Sequence, residues 1–148
     1  MKTARGRLWH LPRLAMILWA FTRATPWLPR VRSHWDDLRA LARVIRWGWV
    51  RVIREQGRVA GFLVRDGDIL HALYVHPVLR GQGFGRALLA EAKAEAGVLR
   101  LWVVEANSAA RAFYARQGFV EAARSAGLGN DEGLPDILMV WRGEGVSA

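Results

Sequence analysis

Arg80-Gly81-Gln82-Gly83-Phe84-Gly85-Arg86 places three glycines within five residues, between two arginines. Glycine admits positive φ and lets the backbone approach a ligand closely. The Ala/Leu-rich stretch that follows reads as a helix, whose N-terminus carries partial positive charge. Successive N–H groups at such a terminus, flanked by two guanidiniums, suit a phosphate or pyrophosphate. Two other readings stand beside this one. In the first, the glycines only turn the chain between a strand and a helix, a task for which three are more than needed. In the second, Gly81-Gln82-Gly83 opens a dinucleotide fingerprint, with Glu105 24 residues after Gly81 as the ribose-binding acid. That match fails in detail: Arg86 occupies the third glycine position, and His76 to Arg80 separate the first glycine from the strand end at Val75.

Other reactive chemistry is sparse. The chain has no cysteine, which removes disulfides, thiolate metal sites and a cysteine nucleophile and suits a reducing cytoplasm. His10, His34, His71 and His76 show no metal-ligand spacing, so no metal is expected. The formal charge of +9 is carried by 22 basic residues, of which only Lys2 and Lys93 are lysine. Such a field favours an anionic partner. No basic run and no basic helix face interleaved with aromatics is read, so the charge is assigned to a solvated surface and nucleic acid is not an expected partner. The apolar stretch Leu14 to Phe21 lies between Arg13 and Arg23, well short of the ~20 residues of a membrane span. Thr25-Pro26-Trp27 after it is no small-residue cleavage site. It is read as a buried helix face, with no membrane partner.

Periodicity supplies the elements that must hold these residues. Pro12 opens a helical pattern carried by Leu14, Ile17, Leu18 and Phe21 and stopped at Thr25-Pro26. Ser33 caps a second helix, with Asp36 and Asp37 in its first turn and Leu38, Leu41, Ala42 and Ile45 following up to Gly48. After Gly48 the period changes to two. Strands are expected from Trp49 to Arg54 and Val59 to Arg65, with a turn at Glu55-Gln56-Gly57, and from Asp68 to Val75 after a type I′ turn at Asp66-Gly67. A helix from about Gly83 to Ala96 then leads to the apolar run Val98 to Val104, read as a buried strand parallel to the one before the helix. A helix over about Ser108 to Gln117 and strands over about 119–125 and 136–141 complete the chain. The order ααβββαβαββ gives an α/β fold with a mixed sheet, one domain over residues 1–148 with N-terminal helices at about 12–47. Most of Trp19, Trp27, Trp35, Trp47 and Trp49 are expected in the core, one or two of them lining an apolar pocket.

Arg80 to Gly85 has the form R/Q-x-x-G-x-G, preceded by Leu73-Tyr74-Val75-His76-Pro77, and resembles the acyl-CoA pyrophosphate loop of the GCN5-related N-acetyltransferase (GNAT) family. Residues 101 to 119, LWVVEANSAARAFYARQGF, resemble that family's second signature, with Asn107 and Tyr114 seven apart. The two motifs stand in the family's order, and the resemblance covers about residues 45 to 142.

The resemblance implies transfer of an acetyl group from acetyl-CoA to an amine. It implies a main-chain role for Leu73, Tyr74 and Val75 beside the pantetheine arm, and a pyrophosphate site at Arg80, Gly81, Gln82, Gly83, Phe84, Gly85 and Arg86. It places Asn107 near the same arm, a role compatible with capping the next helix. Tyr114 stands at the family's general-acid position, facing the leaving thiolate; a core aromatic is its other reading. His71 is the first candidate for the base that accepts the amine proton, with Glu105, Asp131 and Glu132 behind it. The acidic loop Asn130-Asp131-Glu132 is expected to attract a cationic acceptor, and the tract Thr25 to Arg30 to act as a variable lid. The alternative is a binding module, either a non-catalytic acyl-CoA sensor or a basic nucleic-acid binder. The sequence leaves the acceptor and a homodimer open.

Overall fold

The computed structural model describes residues 2–29, 32–128 and 133–144. Its elements run β1 (Lys2–Arg5), α1 (Leu11–Arg23), α2 (His34–Arg46), β2 (Val50–Glu55), β3 (Arg58–Asp66), β4 (Ile69–Val75), α3 (Phe84–Glu95), β5 (Val98–Val104), α4 (Ser108–Arg116), β6 (Val120–Ser125) and β7 (Asp136–Arg142). One sheet holds the seven strands in the order β1-β2-β3-β4-β5-β7-β6. The expected order lacked β1. Lys2-Thr3-Ala4-Arg5 carries no strand pattern of its own; it is extended because it pairs antiparallel with β2, Lys2 opposite Arg54 and Arg5 opposite Arg51. Thr3 is further tied by hydrogen bonds to Glu91 of α3 and to Arg51, whose Nε lies 2.7 Å from Glu91 Oε1.

The helices behave as their sequences dictate. Ser33 Oγ accepts the Asp36 N–H at 3.1 Å while Asp36 Oδ2 accepts the Ser33 N–H at 3.3 Å, so α2 begins in a capping box. That hydrogen bonding holds the Asp36 carboxyl below its ordinary value. In α1, Leu14, Ala15 and Ile17 are buried; in α2, Leu41 and Ile45. With Val50, Val52, Phe62 and Val64 they form the core on one sheet face. On the other face Phe84, Leu88, Leu89 and Ala92 of α3 and Tyr114 of α4 pack with Ile53, Leu63, Leu99, Leu101, Val103 and Ile137.

Four expectations shift. Asp66 stays in the ladder opposite Ile69, and only Gly67 in the following turn has positive φ (59°), so this is not type I′. Both-positive geometry occurs one hairpin earlier, at Gln56 (52°) and Gly57 (78°). The strand β5 is buried on one face only, with Arg100 and Trp102 exposed, since the α1/α2 core covers β2 to β4 and stops there. None of the tryptophans is buried to core level; Trp35 and Trp47 are exposed, and α2 does carry a basic face interleaved with aromatics, Trp35, Arg39, Arg43, Arg46 and Trp47.

Candidate active site

The site begins with a gap in the sheet. Parallel β4 and β5 pair at Ile69 and Arg100, where the Arg100 N–H donates to Asp68 O at 2.7 Å. Beyond that point no further register partner joins them, and the opening extends toward Val75 and Val104. On its other edge β4 is laddered to β3 from Ala72 onward, with Leu63 opposite Leu73, Phe62 opposite Tyr74 and Gly61 opposite Val75. The His76 N–H donates to Ala60 O at 2.7 Å. Antiparallel pairs alternate in bonding direction, so Tyr74 turns its main-chain groups the same way as His76, toward β3. Leu73 and Val75 turn theirs into the opening. Of the three expected main-chain contributors, two therefore face the gap; Tyr74 presents its side chain on the α1/α2 face.

The glycine turn stands at the wide end of this opening. After Val75, His76 Nδ1 accepts the Val78 N–H at 3.2 Å and caps a short 3-10 turn over Pro77–Leu79. Gly81 (φ 78°) and Gly83 (φ 90°) then adopt a conformation that costs an L side chain about 1–2 kcal/mol. Gly83 is the N-cap of α3 and has no side chain to satisfy the first-turn donors; the first helical bond runs from the Ala87 N–H to Gly83 O. The N–H groups of Phe84, Gly85 and Arg86 precede it and have no intrahelical acceptor. Phe84 contributes backbone only, its ring being 2% exposed in the core. Gly85 has ordinary φ, and a Cβ there would sit 3.5 Å from Phe113 and 3.6 Å from Val75. Gln82 is exposed on the turn. Arg80 and Arg86, also exposed, make no ion pair among the described residues. Their field is felt nearby: burial together with Arg13 and Arg80 holds His76 below its ordinary value, and burial together with Arg86 does the same to Lys93. A cluster of unbonded N–H groups in a positive field fits a pyrophosphate.

Asn107 follows β5 at the same end of the opening. Its Oδ1 accepts the Ala110 N–H at 3.1 Å, capping α4. The side-chain amide NH₂ is not used in that bond. About two turns later Tyr114 lies buried between Phe113 and Phe119, ring centroids 5.3 and 5.4 Å away. Burial pushes its phenol well above the ordinary value, and Tyr74 pushes it further. The two rings belong to cores on opposite faces of the sheet.

On the Tyr74 side lies a cavity of about 340 Å³ between α1, α2, β3 and β4. Leu18, Phe21, Leu28, Leu41, Val44 and Phe62 make it apolar; Thr22, Arg32, Asp37, His71 and Tyr74 supply polar atoms. The Trp19 indole N–H donates to Asp37 Oδ2 at 3.0 Å and fixes that carboxylate on the wall. His71 is the extra residue where the β3/β4 register shifts, and its ring stacks on Trp49 at 5.3 Å and 7°. Of the other proton acceptors considered, Glu105 is engaged by Arg124 at 3.0 Å. The triplet Asn130-Asp131-Glu132 lies outside the described residues. Leu28 and Pro29 of the expected lid line the cavity. No group of three or more potential metal ligands exists among the described residues.

Residues 46–121 match the family model described as an acetyltransferase (GNAT) domain. The chain belongs to the GNAT family. It is 38% identical over 77 residues to the peptidyl-lysine N-acetyltransferase YjaB of Salmonella typhimurium, the match covering 52% of each chain. The chain thus spans about half the length of that relative. It is 31% identical over 127 residues to the peptidyl-lysine N-acetyltransferase YiaC of Escherichia coli, covering 82% of this chain and 78% of that one. The structure superposes on apo YjaB of Escherichia coli with a TM-score of 0.76 and 26% identity, over 96% of this chain and 97% of the other.

In this GNAT the residues expected from the two motifs come together around one opening: Leu73 and Val75, the turn from Arg80 to Arg86, Asn107 and Tyr114. Sequence reasoning missed the Tyr74 side chain and the Asp37–Trp19 pair. Tyr74 carried a readable signal, since residues two apart in a strand share a face and Ala72 and Tyr74 alternate with Leu73 and Val75. Asp37 had been read only as a first-turn acid.

Proposed function

We propose that this GNAT is an acetyl-CoA-dependent N-acetyltransferase whose acceptor class is a lysine side chain in a protein or peptide. The observation that carries the reading is the β4/β5 opening, with a phosphate-suited turn at its wide end. The acceptor class is supported by the cavity, whose apolar wall would cover an aliphatic stem, and by the names of the two relatives.

Acetyl-CoA supplies the acetyl group as a thioester. The turn from Arg80 to Arg86 holds the pyrophosphate, and the outward main-chain groups of Leu73 and Val75, with Asn107, hold the arm. A Leu73 or Val75 N–H polarises the thioester carbonyl. The acceptor nitrogen must be neutral to attack; His71, on the cavity wall, takes its proton. As the new carbon–nitrogen bond forms and the carbon–sulfur bond breaks, Tyr114 gives its phenolic proton to the departing sulfur. Burial keeps the phenol protonated in the resting enzyme, and the same dry surroundings disfavour a bare thiolate, which drives the transfer.

Calorimetric titration with acetyl-CoA, with NAD and a random DNA duplex as comparators, tests the first half: micromolar binding of acetyl-CoA alone is expected, and no binding refutes it. Mass spectrometry of lysine peptides incubated with enzyme and acetyl-CoA tests the second, expecting a gain of one acetyl group on the lysine side chain.

A further inference from the structure

The helix α2 uses one face for the cavity and core, through Asp37, Ala40, Leu41, Val44 and Ile45. The opposite face carries Trp35, Arg39, Arg43, Arg46 and Trp47 around a shallow surface cleft of about 510 Å³. Trp35 is 70% exposed and Trp47 54%. At 1.5 Å per residue the three guanidiniums lie at steps of about 6 and 4.5 Å along the axis, and the two rings bracket them at a span of about 18 Å. Arg39, Arg43 and Arg46 make no ion pair among the described residues. Arg43 stands over the Trp47 ring, 5.9 Å from its centroid, and Trp47 leans on Trp49 at 4.6 Å, which holds the ring in place.

We propose that this outer face of α2 binds single-stranded nucleic acid. A row of guanidiniums with no ion pair among the described residues asks for repeated anions, and flat exposed rings at each end ask for π faces; a nucleic-acid strand supplies both, with phosphates on the arginines and bases on the tryptophans. An acidic peptide supplies only the anions. A membrane is a poor match because the apolar face of α2 is already spent on the sheet, and the exposed face has charges between its rings. A second copy of this chain would bring three arginines against three arginines on a protein of net charge +9. The proposal does not depend on the acetyl-transfer reading, because none of these five side chains lines the cavity or the β4/β5 opening.

The test is fluorescence anisotropy of the full chain with a dye-labelled oligouridylate of about twelve nucleotides, over a range of salt concentrations, read together with tryptophan emission. Three phosphate contacts on a single strand predict a log–log salt slope of about −2, and stacking predicts quenching of emission. Replacing Arg39, Arg43 and Arg46 together by Gln is expected to weaken binding at least tenfold and flatten the slope, with the thermal midpoint unchanged. Each single Arg→Gln variant removes about 0.7 from the slope, which keeps the test readable if the triple variant folds poorly. Trp35→Leu with Trp47→Leu is expected to abolish the quenching and weaken binding about tenfold. Equal affinity in wild type and triple variant would overturn the proposal, since the rest of the basic surface would then carry the RNA. So would competition by polyglutamate as effective as by unlabelled RNA with no effect of the tryptophan changes, which would mark an acidic protein surface as the partner. Preferential binding to anionic lipid vesicles would overturn it as well.

Discussion

Tyr114→Phe isolates one atom in the proposed chemistry. The substitution removes a hydroxyl and keeps the ring, so the contacts to Phe113 and Phe119 at 5.3 and 5.4 Å persist and the core loses no volume that matters. A positioned general acid contributes about 10²–10⁴ in rate, which is about 2.7–5.4 kcal/mol of barrier. Turnover on a lysine peptide is expected to fall at least a hundredfold, with acetyl-CoA affinity within about twofold of wild type, because binding is assigned to the backbone and the glycine turn. Released CoA can be followed with a thiol reagent without interference, since the chain has no cysteine. A second readout comes from stability. The folded-state phenol is raised by burial, so its contribution is complete below the unfolded value of about 10 and is lost as pH rises through the folded value. Above pH ~10 wild type is expected to lose stability faster than the Phe variant by up to about 1.4 kcal/mol per pH unit, read from urea midpoints at several alkaline pH values. Turnover within threefold of wild type, in a variant of unchanged midpoint at neutral pH, would remove Tyr114 from the reaction.

The glycine turn gives a paired prediction: Gly83→Ala, at φ 90°, is expected to destabilise by about 1–2 kcal/mol and to weaken acetyl-CoA binding, whereas Gly85→Ala, with ordinary φ and its Cβ at ordinary van der Waals distance from Phe113 and Val75, changes urea stability little. His71→Ala is expected to lower kcat and leave acetyl-CoA affinity unchanged by calorimetry; an unchanged kcat would return the residue to packing against Trp49. Asp37→Asn keeps the shape of the cavity wall and removes its charge, so KM for a lysine peptide should rise several-fold while kcat holds. Hydrogen bonding to Arg51 holds the Glu91 carboxyl below its ordinary value, so its stabilisation is present above the unfolded carboxylate value and lost as pH falls through the folded one. Glu91→Gln should therefore have a lower melting temperature than wild type at neutral pH, with the gap closing in acid.

Much of the frame could be read from local chemistry because local chemistry determines it. Ser33 and Asp36 make their capping box with each other, the hairpin at Gln56-Gly57 needs only its own two residues, and the stretch from Arg80 to Arg86 turns where glycine permits. What stayed hidden depends on distant partners. Lys2 to Arg5 is a strand because Arg51 to Arg54 lie opposite it and Glu91 receives Thr3. The tryptophans count as apolar in composition, yet Trp35 and Trp47 lie on the side of α2 turned away from the core, so they remain in water. The basic face of α2, Arg39, Arg43 and Arg46 between Trp35 and Trp47, stood in the sequence at helical spacing; the expectation of no basic helix face interleaved with aromatics missed it because Leu38, Leu41 and Ile45 marked only the other side of the helix. Within the site, motif spacing pointed to the main-chain contributors but not to their direction, which follows from the Ala60–His76 hydrogen bond.

That direction has a consequence for solvent exchange. Along β4 the amides of Tyr74 and His76 are locked into the ladder with β3, while those of Leu73 and Val75 face the place where the sheet parts. Deuterium should therefore enter this strand in alternation in the free protein, fast at residues 73 and 75 and slow at 74 and 76, a pattern set by the backbone before any ligand arrives. A strand that is half protected and half open already holds, in its resting state, the donors and acceptors of a neighbour it does not have.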